Sequence, residues 1–382
     1  MINIKSINNG HIFARYLIDG TGTAIQKDRV ITIKNSIIAK IEQFSPVMSQ
    51  KITHNLSSHC IIPPLTDAHV HLTMSGTLDL QKRHSQLNLN FDQATKHISF
   101  HLKQYEKAGI IVLRDGGDRL GHTFTYKQNI DHRVDILSCG VAWYQKGRYG
   151  QFAGKGIDSN DNSLKIISSH FPGDHIKIIQ SGINSIRKFG KQTAPQFSQD
   201  EMTGICQWAR QNNTPVMVHA NGVLPVKIAI QAGCTSIEHG YFMGEENLQI
   251  MADNQIFWVP TLVPMHSLAH NLSQPEEKDI ACRTFDSQCE QIQKARALGV
   301  PIAIGSDSGS YGVDHGSGLF EEMKLMVSCG FSVSQVIHFC SSQNLFLFNR
   351  PLSGVLKIGE NARFVAVKSR PEKLFEKIKS HK

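Results

Sequence analysis

The eight cysteines, at positions 60, 139, 206, 234, 282, 289, 329 and 340, include no CxxC pair and no short regular spacing. Neither a zinc knuckle nor a redox dithiol is signalled, and the thiols read as mostly buried and free. No apolar run approaches the roughly 18 residues that a membrane span needs. Met1 to Gly10 alternates polar and apolar residues, without the apolar core and small-residue cleavage site of a secretory signal. A soluble cytoplasmic protein with no membrane partner is expected. Charged residues make up only 19% of the chain, below the usual quarter. The formal net charge is +8, yet Lys and Arg are scattered singly. The densest run, Lys368 to Lys382, is interrupted by Glu372 and Glu376. That pattern lacks the focus of a nucleic-acid stripe. No internal repeat or low-complexity segment is visible.

What is present is length and histidine. At 382 residues the chain exceeds the size at which one hydrophobic core stops growing, so one large domain with a smaller companion is expected. Hydrophobic residues at 40% supply a core of ordinary size. Histidine, at 19, is far above its usual share and directs attention to metal or proton chemistry.

The first sixty residues read as short strands, His11 to Ile18, Asp28 to Lys34 and Ile37 to Phe44, separated by turn formers at residues 19–22 and 35–36. From Ile61 the texture changes to short β-branched runs alternating with amphipathic stretches. Eight strands are expected: Ile61 to Asp67, Gly109 to Arg114, Val134 to Val141, His175 to Gln180, Pro215 to His219, Thr235 to His239, Ile256 to Pro260 and Val300 to Gly305. Helices are expected at Asp92 to Lys107, Gln199 to Gln211, Val223 to Ala232, Glu245 to Asn254, Lys278 to Leu298, Leu319 to Ser328 and Ser334 to Phe346. This pattern predicts an α/β fold, a (β/α)8 TIM-type barrel over 61–350. A small β-sandwich domain is expected from the terminal segments, 1–60 and 351–382, with Ala362 to Val367 as a strand that needs a partner there.

The chemistry is marked at strand ends. His69 and His71 sit two apart at the end of the first barrel strand, and the pleat points both imidazoles to one side, as a metal requires. His219 ends the fifth strand and His239 the sixth. Barrel sites lie at the C-terminal ends of strands, so these four histidines converge although far apart in sequence. Asp307 follows the eighth strand and sits beside the first; its alternative is a turn or N-cap aspartate. Lys177 is a cation in mid-strand, where an unpaired ammonium is strongly disfavoured, so it needs a partner or a modification.

The segments Asp67-Ala68-His69-Val70-His71, Ile176-Lys177-Ile178-Ile179-Gln180-Ser181-Gly182, Val218-His219-Ala220, Glu238-His239-Gly240 and Gly305-Ser306-Asp307 occur in this order. In them the chain resembles the amidohydrolase superfamily over nearly its whole length, most of all the group of metal-dependent prolidases and Xaa-Arg/Lys carboxypeptidases. The resemblance implies that Lys177 is carboxylated and bridges two divalent metal ions, zinc being the expected metal. It further implies that His69, His71 and Asp307 hold the more buried ion and His219 and His239 the more exposed one. Two ions (+4) against carbamate, Asp and hydroxide (−3) leave a positive excess able to polarise a carbonyl. Two departures stand out: the lead-in reads Pro64-Leu65-Thr66-Asp67, and the usual acidic Asp-Ala-Asp near the C-terminus reads Asn361-Ala362-Arg363. Neither removes a ligand.

The expected reaction is cleavage of an amide-like C–N bond in a small substrate by a metal-bridging hydroxide, with Asp307 moving the proton. A dipeptide or N-acyl amino acid is favoured. The alternatives are a lactone or ester on the same metals, or a mononuclear aminohydrolase of a nitrogen heterocycle. Ala220-Asn221-Gly222 after His219 removes the HxxE proton shuttle on which many such aminohydrolases rely. For substrate contacts, the Gly-rich loop Trp143 to Asp158, whose alternative is a flexible solvated loop, offers Arg148 and Tyr149, and Tyr241, whose alternative is packing under the rim, comes just past His239. Arg114, Arg187, Lys188 and Lys191 are candidates for a substrate carboxylate, with scattered charge as the alternative. His315 is expected to be structural, and His97, His101, His122 and His338 to be surface or satisfied core residues. A homo-oligomer is a further possibility.

Overall fold

A computed structural model of the chain describes residues 3–377. The outermost residues of both terminal segments, 1–2 and 378–382, fall outside the described part, and with them the end of the Lys-rich tail. The terminal segments supply β1 (Asn3–Ser6), β2 (Gly10–Leu17), β3 (Gln26–Lys34), β4 (Ile37–Gln43) and β5 (His54–Ile62). Then come β6 (Leu65–Val70), β7 (Ile110–Asp115), β8 (Asp135–Ser138), β9 (Ala142–Gln145), β10 (Gly154–Ile157), β11 (Ile176–Ile179), β12 (Val216–Ala220), β13 (Ser236–His239) and β14 (Phe257–Val259), and late in the chain β15 (Arg363–Val367).

β1 to β5 and β15 form one six-stranded sheet in the order β1-β15-β5-β2-β3-β4. The late strand therefore finds its partners in the N-terminal sheet, lying antiparallel between β1 and β5. The six strands are one continuous ladder rather than two facing sheets, and an apolar cluster of Ile12, Leu17, Ile31, Ile33, Ile61 and Phe364 packs on it. Ile61 and Ile62 pair with Ala366 and Val365 rather than opening the next sheet. Pro63 and Pro64 follow; lacking N–H donors, they end one ladder before β6 begins the next.

The remaining strands are parallel, in the orders β6-β7-β8 and β10-β9-β11-β12-β13-β14. Main-chain bonds of residues 301–308 link the two sheets: Trp258 donates to Pro301 O, Ala303 to Trp258 O, and Ala68 to Ile304 O. The expected eighth strand falls on this run, which forms no full strand. It carries only isolated bridges, in keeping with Pro301, which has no N–H for a full ladder.

The segment 143–158, expected to be a loop, departs most. Gly140, at φ +73°, ends the extended run, and the chain resumes as β9 and β10. β10 can lie on β9 because residue 154 is glycine: a Cβ there would stand 1.7 Å from the Ala142 carbonyl oxygen.

Helices alternate with the strands and cover them. Residues 91–108 start with a capping box, Asn90 and Gln93, and stop at Gly109 in the left-handed conformation. This helix buries Ala94, Ile98, Leu102 and Tyr105, an i, i+4 and i+3 series that forms one face. Gln199–Gln211 is built the same way, capped by Ser198 and Glu201 and burying Met202, Ile205, Cys206 and Ala209. Among the described residues no helix is long and apolar enough to cross a membrane. All eight cysteines are free thiols, six of them buried.

Candidate metal centre

The C-terminal ends of the parallel strands bring the four histidines together. The His69 and His71 rings, set on one side by the pleat, have centres 5.4 Å apart. His239 at the end of β13 lies 5.1 Å from His69 and 4.7 Å from His219 of β12. Asp307 closes the cluster, its Oδ1 3.7 Å from His69 Nε2 and 3.5 Å from His71 Nε2. His69, His71 and Asp307 offer ligand atoms within 4.8 Å of one another, close enough to share an ion.

Each ring has one nitrogen anchored and the other left over. His69 Nδ1 donates to Glu238 Oε2 at 2.8 Å, and His71 Nδ1 to the Gly117 carbonyl at 3.0 Å. His239 Nδ1 donates to Thr261 Oγ1 at 2.6 Å, whose own hydroxyl donates to the Pro260 carbonyl at 2.8 Å. His219 donates instead from Nε2, to the Gly182 carbonyl at 3.3 Å. A partner on one ring nitrogen sets the tautomer and frees the other as a ligand. Burial pushes His71 down to about 4 and His219 to about 3, and His69 and His239 well below their ordinary value. All four are therefore neutral imidazoles at neutral pH, the form that binds a metal.

Lys177 is the anomaly. Its side chain lies among these histidines on β11, 3% exposed, and Nζ has no hydrogen-bond partner. Burial pushes its ammonium down to about 8, so a reactive free amine is within reach at mildly alkaline pH. Burial likewise raises Asp307 to about 7. Two residues of the cluster also hold left-handed backbone: His239 and Asp307 adopt φ of +66° and +53°. Non-glycine residues hold such angles only where the surroundings impose them, often at functional sites. Gly116 lets the chain pass close by, since a Cβ there would lie 2.7 Å from His71 Cε1.

Beneath the cluster is a second polar layer, in which Arg114 and Asp67 are fully hydrogen-bonded. Arg114 Nη2 donates to Glu238 Oε1 at 2.8 Å, Nη1 to Ser236 Oγ at 3.0 Å and Nε to the Ala68 carbonyl at 2.8 Å. At 2% exposure Arg114 is unavailable to a substrate; its expected role as a carboxylate holder is replaced by support of Glu238, and through it of His69. Asp67 accepts from Ser306 N at 2.9 Å and Ser306 Oγ at 2.6 Å, pinning the 301–308 run to β6 beside Asp307.

A cavity of about 710 Å³ opens over the cluster. Tyr149 and Tyr241 line it, as expected, Tyr149 with its ring 5.5 Å from His219 and Tyr241 parallel to His239 at 6.4 Å. Burial raises both phenols, keeping them protonated as donors. Arg148 is exposed and outside the lining, with Nη2 on the Ala194 carbonyl at 2.7 Å. Lys188 and Lys191 are exposed and also outside it, whereas Arg187 lines the rim beside Glu277 at 3.6 Å. The walls are apolar: Met74, Leu87, Phe152, Ile179, Ile183 and Met265.

Sequence reasoning missed Arg83 and Asn221, which line the cavity, and gave Glu238 and Thr261 no role. Arg83 sits on the short helix Leu80–Gln86, whose register to the strand ends no pattern reveals. Glu238 could have been found, since an acid preceding His239 in a buried strand needs a partner. His315 and His101 are buried and stacked at 3.8 Å, with His315 Nε2 donating to the Met74 carbonyl and His101 Nδ1 to the Leu72 carbonyl. Both support the segment that carries His71.

Residues 60–382 match the model of the amidohydrolase family. Ochratoxinase of Aspergillus niger is 27% identical over 202 residues, 51% of this chain but only 41% of that protein's length. A solved Xaa-Pro dipeptidase with bound methionine superposes with a TM-score of 0.79 at 25% identity, covering 97% of both chains. The solved A. niger ochratoxinase superposes with a TM-score of 0.78 at 20% identity, over 98% of this chain and 94% of that one. With the family match running from β5 to the end of the sequence and the histidine cluster inside it, the chain belongs to the amidohydrolase family.

Proposed function

We propose that this protein is a metal-dependent hydrolase that cleaves the amide-like C–N bond of a small, carboxylate-bearing substrate, a dipeptide or N-acyl amino acid. The reading places a (β/α)8 barrel at residues 61–350 and the small β domain at 1–60 with 351–382. Support for closure comes from the 301–308 run, which hydrogen-bonds to both parallel sheets. We further propose two divalent ions, zinc the expected metal, with His69, His71 and Asp307 holding one, His219 and His239 the other, and Lys177 bridging as a carbamate.

The observation that carries the reading is Lys177. A buried amine without a hydrogen-bond partner, ringed by four neutral imidazoles, is costly as it stands. As a carbamate it would become an anion able to serve as a metal ligand in place of an unpaired amine. Bound metals would supply Lewis acidity toward the scissile carbonyl and an activated water. The chain's own groups do the rest. Asp307, with Oδ1 3.7 Å from His69 Nε2, can take a proton and pass it to the leaving amine. Tyr149 and Tyr241 line the cavity, and Arg83 and Arg187 can hold the carboxylate away from the metals. The apolar wall shields the reacting bond from water. Similarity to proteins named as a dipeptidase and an ochratoxinase supports amide cleavage over lactone or ester hydrolysis.

A library of dipeptides and N-acyl amino acids, assayed with metal and bicarbonate present, tests this. Turnover is expected for members with a free carboxylate, falling on Arg83→Met mainly through KM. Equal turnover of carboxylate-free amides would overturn the substrate class.

A further inference from the structure

Away from the cavity, two sulfurs stand unusually close. Cys289, on the helix Pro275–Leu298, is half-buried; Cys329, directly after the helix Ser317–Ser328, is buried, and their Sγ atoms are 3.0 Å apart. A disulfide bond is about 2.05 Å long, so closure by about 1 Å would form one. The two elements are already held in register. Arg296 of the first helix donates to the Gly330 carbonyl, and its guanidinium lies 5.3 Å from the Phe331 ring centre.

We propose that Cys289 and Cys329 are a reversible thiol–disulfide pair, tying these two helices together behind the strand ends that carry His239. Both helices reach those ends. Gln288, the neighbour of Cys289, donates to the His239 carbonyl at 3.1 Å and the Pro260 carbonyl at 2.6 Å. On the second helix, the buried Glu322 accepts from the Leu262 and Val263 N–H groups at 2.9 Å each. The segment from His239 to Val263, including the Thr261 that orients His239, is thus clasped from both sides by the elements the bond would join.

The oxidant is a small disulfide such as glutathione disulfide. The half-buried Cys289 meets it first: its thiolate attacks one sulfur and expels a glutathione thiolate, leaving a mixed disulfide. Cys329, having lost its proton, then attacks Cys289 Sγ and expels the second glutathione thiolate. In total the protein loses two protons and two electrons, and one glutathione disulfide becomes two glutathiones. Excess reduced thiol runs the sequence backwards.

The full-length protein is equilibrated with graded ratios of oxidised to reduced glutathione, quenched in acid, denatured, alkylated and digested for mass spectrometry. A peptide pair joining Cys289 to Cys329, two hydrogens lighter and lost on reduction, is expected. The thermal midpoint should rise by roughly 3–6 °C on oxidation, because the cross-link spans 40 residues of chain. Cys329→Ser should trap glutathione on Cys289. Three results would overturn the proposal: both cysteines alkylated at every ratio, Cys289 joined instead to Cys282, or glutathione retained on Cys289 of the unaltered protein. An unmoved midpoint in cross-linked protein would overturn the restraint of the two helices. None of these readouts depends on bound metal or substrate.

Discussion

Arg114 and Lys177 are both cations buried in parallel strands of this protein, at 2% and 3% exposure, and their surroundings differ completely. Every donor group of Arg114 has a partner, with Glu238, Ser236 and the Ala68 carbonyl accepting from it. Lys177 has none. A buried charge that is paired and fully hydrogen-bonded is finished structure; one left without partners is held for chemistry. The layer around Arg114 is therefore the platform, and the layer around Lys177 the candidate site built on it, with His69 bonded downward to Glu238 and facing Asp307 above.

The largest effect should come from Lys177→Ala, which removes the proposed bridging group. Essentially all turnover is expected to disappear, along with part of the bound metal, while the protein stays folded because nothing is left unpaired. Short carboxylic acids added to the variant should restore part of the rate, measured against metal content.

Asp307→Asn is next. An amide keeps an oxygen for the metal but cannot accept the proton, so kcat should fall by about 10² to 10⁴ with KM little changed. Metal content must be measured on the same sample. A rate within a few-fold of the original, with metal retained, would move the proton transfer to another group.

Arg114→Met attacks the platform instead. Leaving Glu238 buried without its cation should cost about 3–5 kcal/mol in urea unfolding. It should also weaken metal binding about 10- to 100-fold by loosening His69. Adding Glu238→Gln to it should recover part of the stability. A stable Arg114→Met with unaltered metal affinity would erase the distinction between the two layers.

The smallest expected effect concerns acid. Burial pushes His101 down to about 4, below its unfolded value of about 6.5. The unfolded chain thus binds a proton that the native one refuses. His101 should remove stability as pH falls from about 6.5 to about 4, at about 1.4 kcal/mol per unit, and no further below that. His101→Asn should flatten this part of the curve of unfolding free energy against pH.

The site was legible because its residues obey two local rules, alternation along a strand and position at the strand's end. His69, His71, His219, His239 and Asp307 all follow them, and Lys177 announced itself by its misplaced charge. Boundaries shifted where proline or glycine acted: Pro63-Pro64 moved Ile61 and Ile62 into the terminal sheet, and Gly140 and Gly154 turned an expected loop into β9 and β10. Arg114 and Arg83 exchanged places in the reading. Whether an arginine faces a core carboxylate or an open cavity depends on contacts made across more than a hundred residues, as between Arg114 and Glu238. No periodicity along the chain records that.

In the proposed centre the paired histidines, Asp307 and a carboxylated Lys177 hold two metal ions. Elemental analysis of protein purified with divalent metal and bicarbonate, alongside its turnover, tests this most directly. Two ions per chain are expected in the active protein, with the second ion and the activity lost together in Lys177→Ala. One ion per chain at full activity would contradict it.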